Sequence, residues 1–178
     1  KLNWTDNKWF PPDLKLEMEL AKEKTPDEWL NVWEGHTKQT INGAIYAEEI
    51  KKVLLENRRG KVPYDSSKPV YTFWDLGHSD NTAIWFVQRV GVEYNIINYF
   101  QDNLKKIPYY IEHLQSLGYV YGVHHLPNDG ENETLAGRSV AKQLREVYPK
   151  QVKIVPRVPK KVMGIRAARL VFDLCNFD

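Results

Sequence analysis

The chain has 178 residues, 42% of them hydrophobic and 27% charged, which fits a globular domain with a buried core and excludes low-complexity and fibrous classes. Its single cysteine excludes a disulfide framework and a thiolate zinc site and favours a reducing, cytoplasmic setting; no apolar run reaches the ~20 residues of a membrane span. The net charge is +2, but residues 138–169 hold ten Lys and Arg side chains and one acid. This basic block indicates either a surface for a polyanion or an ordinary solvated face.

The first 65 residues are predicted to be helical and are rich in tryptophan. One helix covers 12–24 after two prolines, a second runs from Pro26 to Trp33, and a third covers about 46–57. Four tryptophans are expected to serve packing rather than ligand stacking: Trp4, Trp9, Trp29 and Trp33. A polar linker follows, and we place the domain boundary between residues 65 and 66.

From Val70 the pattern changes to three strands in close succession and then to alternating helices and strands. The dipeptide Gly91-Val92 indicates a hairpin between the second and third strands. The predicted strands are 70–75, 82–90, 93–100, 119–125 and 152–155, with helices from about 107, 140 and 165, the last one reaching Cys175. The order β-β-β-α-β-α-β-α predicts an α/β domain over 66–178, with a mixed five-stranded sheet flanked by helices.

Two acids follow two strands that should be parallel neighbours. Asp75 ends the first strand, and Asp129 follows the fourth in "VYGVHHLPND", so the topology brings both carboxylates to one edge of the sheet. Gly77 is expected to keep the space in front of Asp75 clear. Close carboxylates repel unless a proton or a cation lies between them, and their oxygens favour Mg²⁺ or Mn²⁺. A turn-forming aspartate satisfied by backbone N–H groups is the alternative for both.

Three further residues are weaker candidates at this edge. Asp80 lies in a Ser-Asp-Asn turn and is either a structural residue or an additional metal ligand. His124 and His125 end the fourth strand, where they could contact phosphate or water, although a satisfied or half-buried histidine is the simpler interpretation.

The chain resembles the large terminase subunit of tailed bacteriophages, in its ribonuclease-H-like nuclease domain and the segment before it. The pattern that begins "WDLG" and the later "LPND" strand end are fairly specific in combination. The matching pieces occur in family order over nearly the whole chain: "NWTDNKWFPPDL", "VWEGHT", "GAIYAEEI", "PVYTFWDLGHSDNTAIWFVQ", "HLPNDG", "RSVAKQL" and "GIRAARLVFD".

The resemblance implies an acidic cluster that binds two Mg²⁺ or Mn²⁺ ions and cuts concatemeric double-stranded viral DNA. Asp75 and Asp129 match the first and second acids, with Asn128 where histidine is frequent. The third acid lies in a later helix of the family, no matching motif occurs before Asp178, and this ligand is expected outside the chain. Asp173 is not a substitute, since a helical ion pair with Arg169 explains it.

The resemblance also implies a setting for the nuclease. Residues 1–65 would be the end of the motor ATPase domain and a linker, and the chain has no phosphate-binding P-loop. The implied partners are viral DNA, the portal protein and the small terminase subunit, in the host cell cytoplasm with no membrane. The expected DNA contacts are Arg138, Lys142, Arg145, Lys160 and Lys161.

Two other functions use the same residues. Sugar kinases and actin-like ATPases also place a "DLG" after a first strand, which would make this a nucleotide-binding domain; a second Gly-rich phosphate loop is missing. A non-catalytic DNA-binding or docking module, with vestigial acids, is the third alternative.

Overall fold

The computed structural model divides the chain into two compact units, residues 1–47 and 48–178. Within the parts that it describes, no helix is long and apolar enough to cross a membrane. The described residues are 4–25, 29–30, 32–35, 44–77, 80–132 and 137–178.

The first unit contains the predicted first helix, α1 (Pro12–Lys24). The Phe10 ring packs against Trp4 and Trp33, at centroid distances of 5.6 and 5.9 Å, as expected for packing tryptophans. Trp9 is 90% exposed, so packing was the wrong expectation for this residue. The predicted helix from Pro26 to Trp33 lies partly outside the described residues.

The remaining elements agree with the predicted order up to the last strand. In chain order they are α2 (Ala47–Leu55), β1 (Val70–Asp75), β2 (Thr82–Val90), β3 (Glu93–Asp102), α3 (Ile107–Ser116), β4 (Tyr121–Leu126), a 3₁₀ turn (Asn128–Glu131), α4 (Val140–Val147), β5 (Val152–Ile154), α5 (Lys161–Phe172) and β6 (Cys175–Phe177).

The sheet is mixed and six-stranded, in the order β5-β4-β1-β2-β3-β6. β1 pairs antiparallel with β2 and parallel with β4, and β2 pairs antiparallel with β3 through the predicted hairpin at Gly91, whose φ is 63°. The α/β fold with a mixed sheet and flanking helices is confirmed, but the prediction of five strands is wrong. Cys175 begins the sixth strand and pairs with Tyr94, whereas its spacing had suggested one more turn of helix.

The main core lies between one face of the sheet and helices α3 and α4. Alternate residues of β1 are completely or almost completely buried: Val70, Thr72 and Trp74. Across from them lie Tyr110, Ile111, Leu114, Ala141 and Leu144. The Tyr110 hydroxyl donates to the carbonyl of Asp102, 2.9 Å away, which ties α3 to the end of β3.

The segment before the sheet is held against α5 and β6. Lys52 pairs with Asp173 at 2.8 Å, and Arg169 pairs with Glu49 at 3.0 Å, so the predicted Arg169–Asp173 pair is wrong. Sequence spacing pointed to a pair within one helix, whereas α2 offers both partners from another element. Arg58 donates to the carbonyls of Phe172 and Cys175, at 2.6 and 2.7 Å, and thereby satisfies groups at the end of α5.

The pairing of β1 with β4 contains a β-bulge. Val70 is opposite Tyr121 and Thr72 is opposite His124, so β4 has one extra residue between the two pairs. Gly122 lies in this bulge, where a Cβ would come within 3.0 Å of the Tyr71 ring. Because of the extra residue, Tyr121 and His124 both reach the core side, with ring centroids 5.1 Å apart.

His124 is a completely buried side chain of this core. Its Nδ1 lies 2.7 Å from the Thr72 hydroxyl, and its ring lies 4.4 Å from the Tyr148 ring. Burial lowers the pKa of His124 from its ordinary 6.5 to about 4, since the charged ring would lose its hydration. The imidazole is therefore neutral at pH 7.

The turn after β1 depends on Gly77. A Cβ at this position would lie 2.5 Å from the carbonyl oxygen of Asp80 and 2.6 Å from that of Asn81. The glycine is thus needed for a close backbone approach within the turn, which is a different reason from the open space in front of Asp75 that the sequence suggested.

We expect Gly77→Ala to lower the free energy of unfolding by ~1–3 kcal/mol, because the new methyl group overlaps two backbone carbonyls. Gly164→Ala is the control: it lies inside α5 with open space around an added Cβ, so it should stabilise by ~0.5–1 kcal/mol. Urea unfolding of both variants measures the difference. Equal effects of the two substitutions would contradict this account of the turn.

The unfolding free energy should also depend on pH through His124. Between pH 4 and 6.5 the unfolded chain binds a proton on His124 that the folded chain does not. The free energy of unfolding therefore falls by up to ~1.4 kcal/mol per pH unit as the pH drops through this window. The contribution of His124 is fully present above pH 6.5. His124→Asn should be less stable at pH 7.5 but should have a shallower pH dependence. Burial also lowers the pKa values of His113 and His125, which leaves a residual slope. An unchanged slope in His124→Asn would refute the assignment.

Candidate functional site

Asp75 is exposed at the carboxyl end of β1, on the face opposite the helices α3 and α4. Its neighbours Thr72 and Trp74 alternate with it in burial, as the two faces of a strand require. The residue directly across on β2 is Ala83, and the residue beyond it on β3 is Gln101. Because Ala83 is small, the carboxylate has open space on its β2 side.

The described part of the turn after β1 is held by Gly77 and Thr82. The Thr82 hydroxyl accepts from the backbone N–H of Gly77 and donates to the Gly77 carbonyl, at 3.3 and 3.2 Å. The Asp75 carboxylate makes no hydrogen bond or ion pair with another described residue, and it is available for a ligand.

Asp129 lies in the 3₁₀ turn that follows β4, at the same edge of the sheet. β1 and β4 are parallel, and Phe73 is opposite His125, so both chains leave the sheet side by side. Gly130 is buried, and a Cβ there would come within 3.6 Å of Leu76, the residue after Asp75. The turn of Asp129 therefore packs against the turn of Asp75.

An ion pair anchors the Asp129 turn to α4. Arg145 donates to Glu131 at 2.6 Å, and this bond lowers the pKa of the Glu131 carboxyl. Both side chains are nearly half exposed, which makes the pair a modest contributor to stability. The carboxylate of Asp129 itself is exposed and is not bonded to any other side chain that the structure describes.

The weaker candidates occupy different places. Asp80 is exposed in the turn after β1, and its carbonyl is the group that packs on Gly77. His124 points into the core, away from the face of Asp75. His125 is half-buried on the face of Asp75 and stacks on Phe73, with ring centroids 4.6 Å apart.

The five Lys and Arg side chains that were predicted to contact DNA fall into two groups. Arg138 and Arg145 lie beside acids, at 3.5 Å from Glu146 and 2.6 Å from Glu131 respectively. The other three are exposed and form no ion pair within the described part of the chain: Lys142, Lys160 and Lys161. Lys142 lies in the first turn of α4, and the two others lie at the start of α5.

A row of side chains crosses the sheet next to Asp75 on the same face. Cross-strand pairing aligns residues from five strands, and three of their rings are 42% exposed: Phe73, Trp85 and Tyr99. The row as a whole is Lys153, His125, Phe73, Trp85 and Tyr99. Sequence reasoning missed this row. The signal that could have revealed it is that β1, β2 and β3 each carry an aromatic residue at an outward position, where a polar residue is usual.

The site thus offers two carboxylates at one edge that have no side-chain partner among the described residues, and exposed lysines lie at the starts of α4 and α5. Among the residues that the structure describes, no group of three or more His, Cys, Asp or Glu side chains could share a metal ion. Two carboxylates can still bind a hard cation whose other ligands are water or phosphate oxygens.

Comparison with known proteins identifies the family. Residues 72–172, more than half of the chain, match the family model described as the terminase RNaseH-like domain. No curated protein matches the sequence.

Solved structures of large terminases are similar in fold. The large terminase from the thermophilic bacteriophage D6E, in complex with ATP-γ-S, is 14% identical with a TM-score of 0.53, and the match covers 99% of this chain and 49% of that one. The P22 large terminase nuclease domain is 11% identical, with a TM-score of 0.47 and 68% coverage of each chain. The large terminase nuclease from phage G20c with bound cobalt is 15% identical, with a TM-score of 0.46 and coverages of 64% and 60%.

The chain spans 30% to 49% of the D6E large terminase chains that it matches. At 14% identity the D6E complex with ATP-γ-S shows the fold alone, and the family model supplies the assignment. The resemblance noted in the sequence is confirmed: the chain belongs to the terminase RNaseH-like domain family.

Proposed function

We propose that the chain is the metal-dependent DNA endonuclease part of a viral genome-packaging terminase, which cuts concatemeric double-stranded DNA by two-metal-ion phosphodiester hydrolysis. One observation carries the proposal: Asp75 and Asp129 leave two parallel neighbouring strands at one edge, and neither carboxylate has a partner among the described side chains. Unpaired carboxylates that lie close to each other repel, and a divalent cation between them removes that cost.

The two acids would hold Mg²⁺ or Mn²⁺. Bound ions of this kind supply Lewis-acid stabilisation of the scissile phosphate and a nucleophilic water at neutral pH. The protein supplies rigidity: β1 fixes Asp75, and the packing of Gly130 on Leu126 and Leu76 fixes the turn of Asp129. Asp80, exposed in the turn after β1, would be an additional carboxylate ligand.

The lysines at the same edge would hold the DNA backbone. β5 is parallel to β4, so the chain that leaves β5 toward Lys160 and Lys161 emerges on the edge of the acids. Lys142 lies at the start of α4 on the chain that follows Asp129. Contacts of this kind neutralise phosphates and carry no sequence information, as a nuclease that cuts packaged DNA requires. Arg145 would instead position the Asp129 turn through Glu131.

The remaining parts of the proposal follow from the family. Residues 1–65 would be the end of the motor domain and its linker, residues 66–178 would be the nuclease, and the portal protein and small terminase subunit would be partners in the host cytoplasm. The nucleotide-binding alternative loses its support, because the matched residues 72–172 include the "DLG" segment on which it depended.

A second candidate is a non-catalytic DNA-binding or docking module. It is favoured by the absence of a third acid beside Asp75 and Asp129 among the described residues. Metal binding separates the two functions, because a vestigial acid pair would not need to hold an ion.

We expect Mn²⁺ to bind this chain, as measured by the loss of the free-ion signal in electron paramagnetic resonance. Asp75→Asn and Asp129→Asn should each weaken binding by roughly tenfold or more, because each removes a charged ligand. Glu112→Gln is the matched control on α3. Supercoiled-plasmid nicking with Mn²⁺ is the activity readout and should follow the same order. Undiminished Mn²⁺ binding by both aspartate variants would refute the site, and the absence of Mn²⁺ binding by the parent chain would favour the docking module.

The lysine assignment predicts a change in the salt dependence of DNA binding. Lys142→Gln should weaken binding to all sequences alike and reduce the slope of log K against log salt by ~1, since one phosphate contact is lost. Lys150→Asn is the control, because Lys150 precedes β5 at the opposite edge and asparagine tolerates its φ of 67°. Equal slopes for the two variants would contradict a DNA path across the edge of the acids.

A further inference from the structure

The two strands that carry the acids share a ladder that is interrupted by a bulge. The ladder between β1 and β4 is interrupted at Gly122 and Val123, where β4 has the extra residue. A bulge removes regular ladder bonds and lets the bulged strand bend. Two ladder pairs, Thr72 with His124 and Phe73 with His125, follow the bulge before the site, and side-chain contacts add to this short ladder.

Side chains bridge the two strands directly after the bulge, on its side toward the acids. The Thr72 hydroxyl of β1 lies 2.7 Å from His124 Nδ1 of β4, and Trp74 Nε1 donates to the same hydroxyl at 2.9 Å. All three groups are buried. Thr72 is three residues before Asp75, and His124 is five residues before Asp129.

The donor and acceptor roles follow from leaving the fewest buried groups unpaired. Since Trp74 donates to the Thr72 oxygen, the hydroxyl proton is available for His124 Nδ1, and the imidazole then carries its proton on Nε2. The opposite tautomer would leave the buried hydroxyl proton without an acceptor. Nε2 has no partner among the described residues, so the Thr72 bond is the anchor of the ring.

The bridge is stiff as well as buried. Thr72 is β-branched, which restricts its side-chain rotation, and the His124 ring is packed between Tyr121 and Tyr148 at 5.1 and 4.4 Å. A hydrogen bond in such a dry environment is costly to break, because no water replaces it. The bond thereby fixes the distance between β1 and β4 at Thr72 and His124.

We propose that Thr72, Trp74 and His124 form a positioning device that sets the separation of the Asp75 and Asp129 carboxylates and thus tunes the divalent-ion site. These residues are not catalytic, since they lie in the core behind the acids. The consequence for metal binding rests on the proposed function, whereas the consequence for the geometry of the two turns does not.

The geometric consequence is tested with paired spin labels. Asp75→Cys and Asp129→Cys in a Cys175→Ala background place one label on each turn, and dipolar broadening of the spectrum reports their separation. Thr72→Val, which removes only the hydroxyl, should shift or widen the distribution, and Thr72→Ser should restore it. Tyr110→Phe is the matched control, because it deletes another buried hydroxyl bond, between α3 and β3.

The functional consequence is tested on native acids with Mn²⁺ alone. Thr72→Val should raise the Kd for Mn²⁺ by roughly three- to tenfold, in line with the effect of removing groups that orient a metal ligand. Thr72→Ser and Tyr110→Phe should leave it unchanged. Trp74→Phe, which removes the indole donor, is a milder second variant if Thr72→Val does not fold. It should also raise the Kd for Mn²⁺, by a smaller factor than Thr72→Val.

The outcomes separate the two proposals. Unchanged label separation in both Thr72→Val and Trp74→Phe, or an equal change in Tyr110→Phe, would overturn the positioning role. A response of the labels in a protein that shows no Asp75-dependent Mn²⁺ binding would support the positioning role and refute the proposed nuclease site.

Discussion

The parallel pairing of β1 with β4 is the constraint on which the candidate site depends. Parallel neighbours deliver their carboxyl ends to the same edge, and this is how residues 54 positions apart in the sequence, Asp75 and Asp129, come to occupy adjoining turns. The crossover through α3 makes this pairing possible, and the burial of α3 against β1 stabilises it. Loss of this pairing would separate the acids even if every other element remained folded.

The two faces of the sheet have different tasks. The face under α3 and α4 is dry and holds the buried bridge between Thr72 and His124. The opposite face carries Asp75 and a row of half-exposed rings, so it has solvent access where chemistry needs it. The charged side chains also have two roles. Arg145 and Glu131 pair with each other and secure a turn, whereas the lysines at the helix starts are exposed to solvent.

Much of the fold could be predicted from the sequence because local rules and topology agree there. The apolar run of β1, the hairpin at Gly91 and the helix spacing of α3 each carry a strong local signal, and the parallel direction of β4 relative to β1 then places both acids at one edge. The sixth strand could not be predicted, since three residues carry no alternation and Cys175 continues a helical spacing. The role of Gly77 was misread because its close contacts are with residues that only the folded turn brings near.

The partners of long side chains were the least predictable part of the site. Arg145, Asp173 and Arg169 each have neighbours within their own helix, yet their bonds go to other elements. Sequence spacing ranks contacts within an element and is silent about those between elements. The bridge between Thr72 and His124 was hidden for the same reason, since an isolated histidine at a strand end is consistent with either face.

The bulge in β4 makes the effect of a change in strand length depend on where the change falls. Successive side chains of a regular strand alternate between faces, so removal of Gly122 or Val123 would restore regular pairing and leave Tyr121, His124 and Leu126 on the core side. Removal of His125 would instead turn Leu126, which is completely buried, toward the opposite face. Related sequences that keep the acid pair should therefore vary in strand length at the bulge and keep the number of residues constant beyond it.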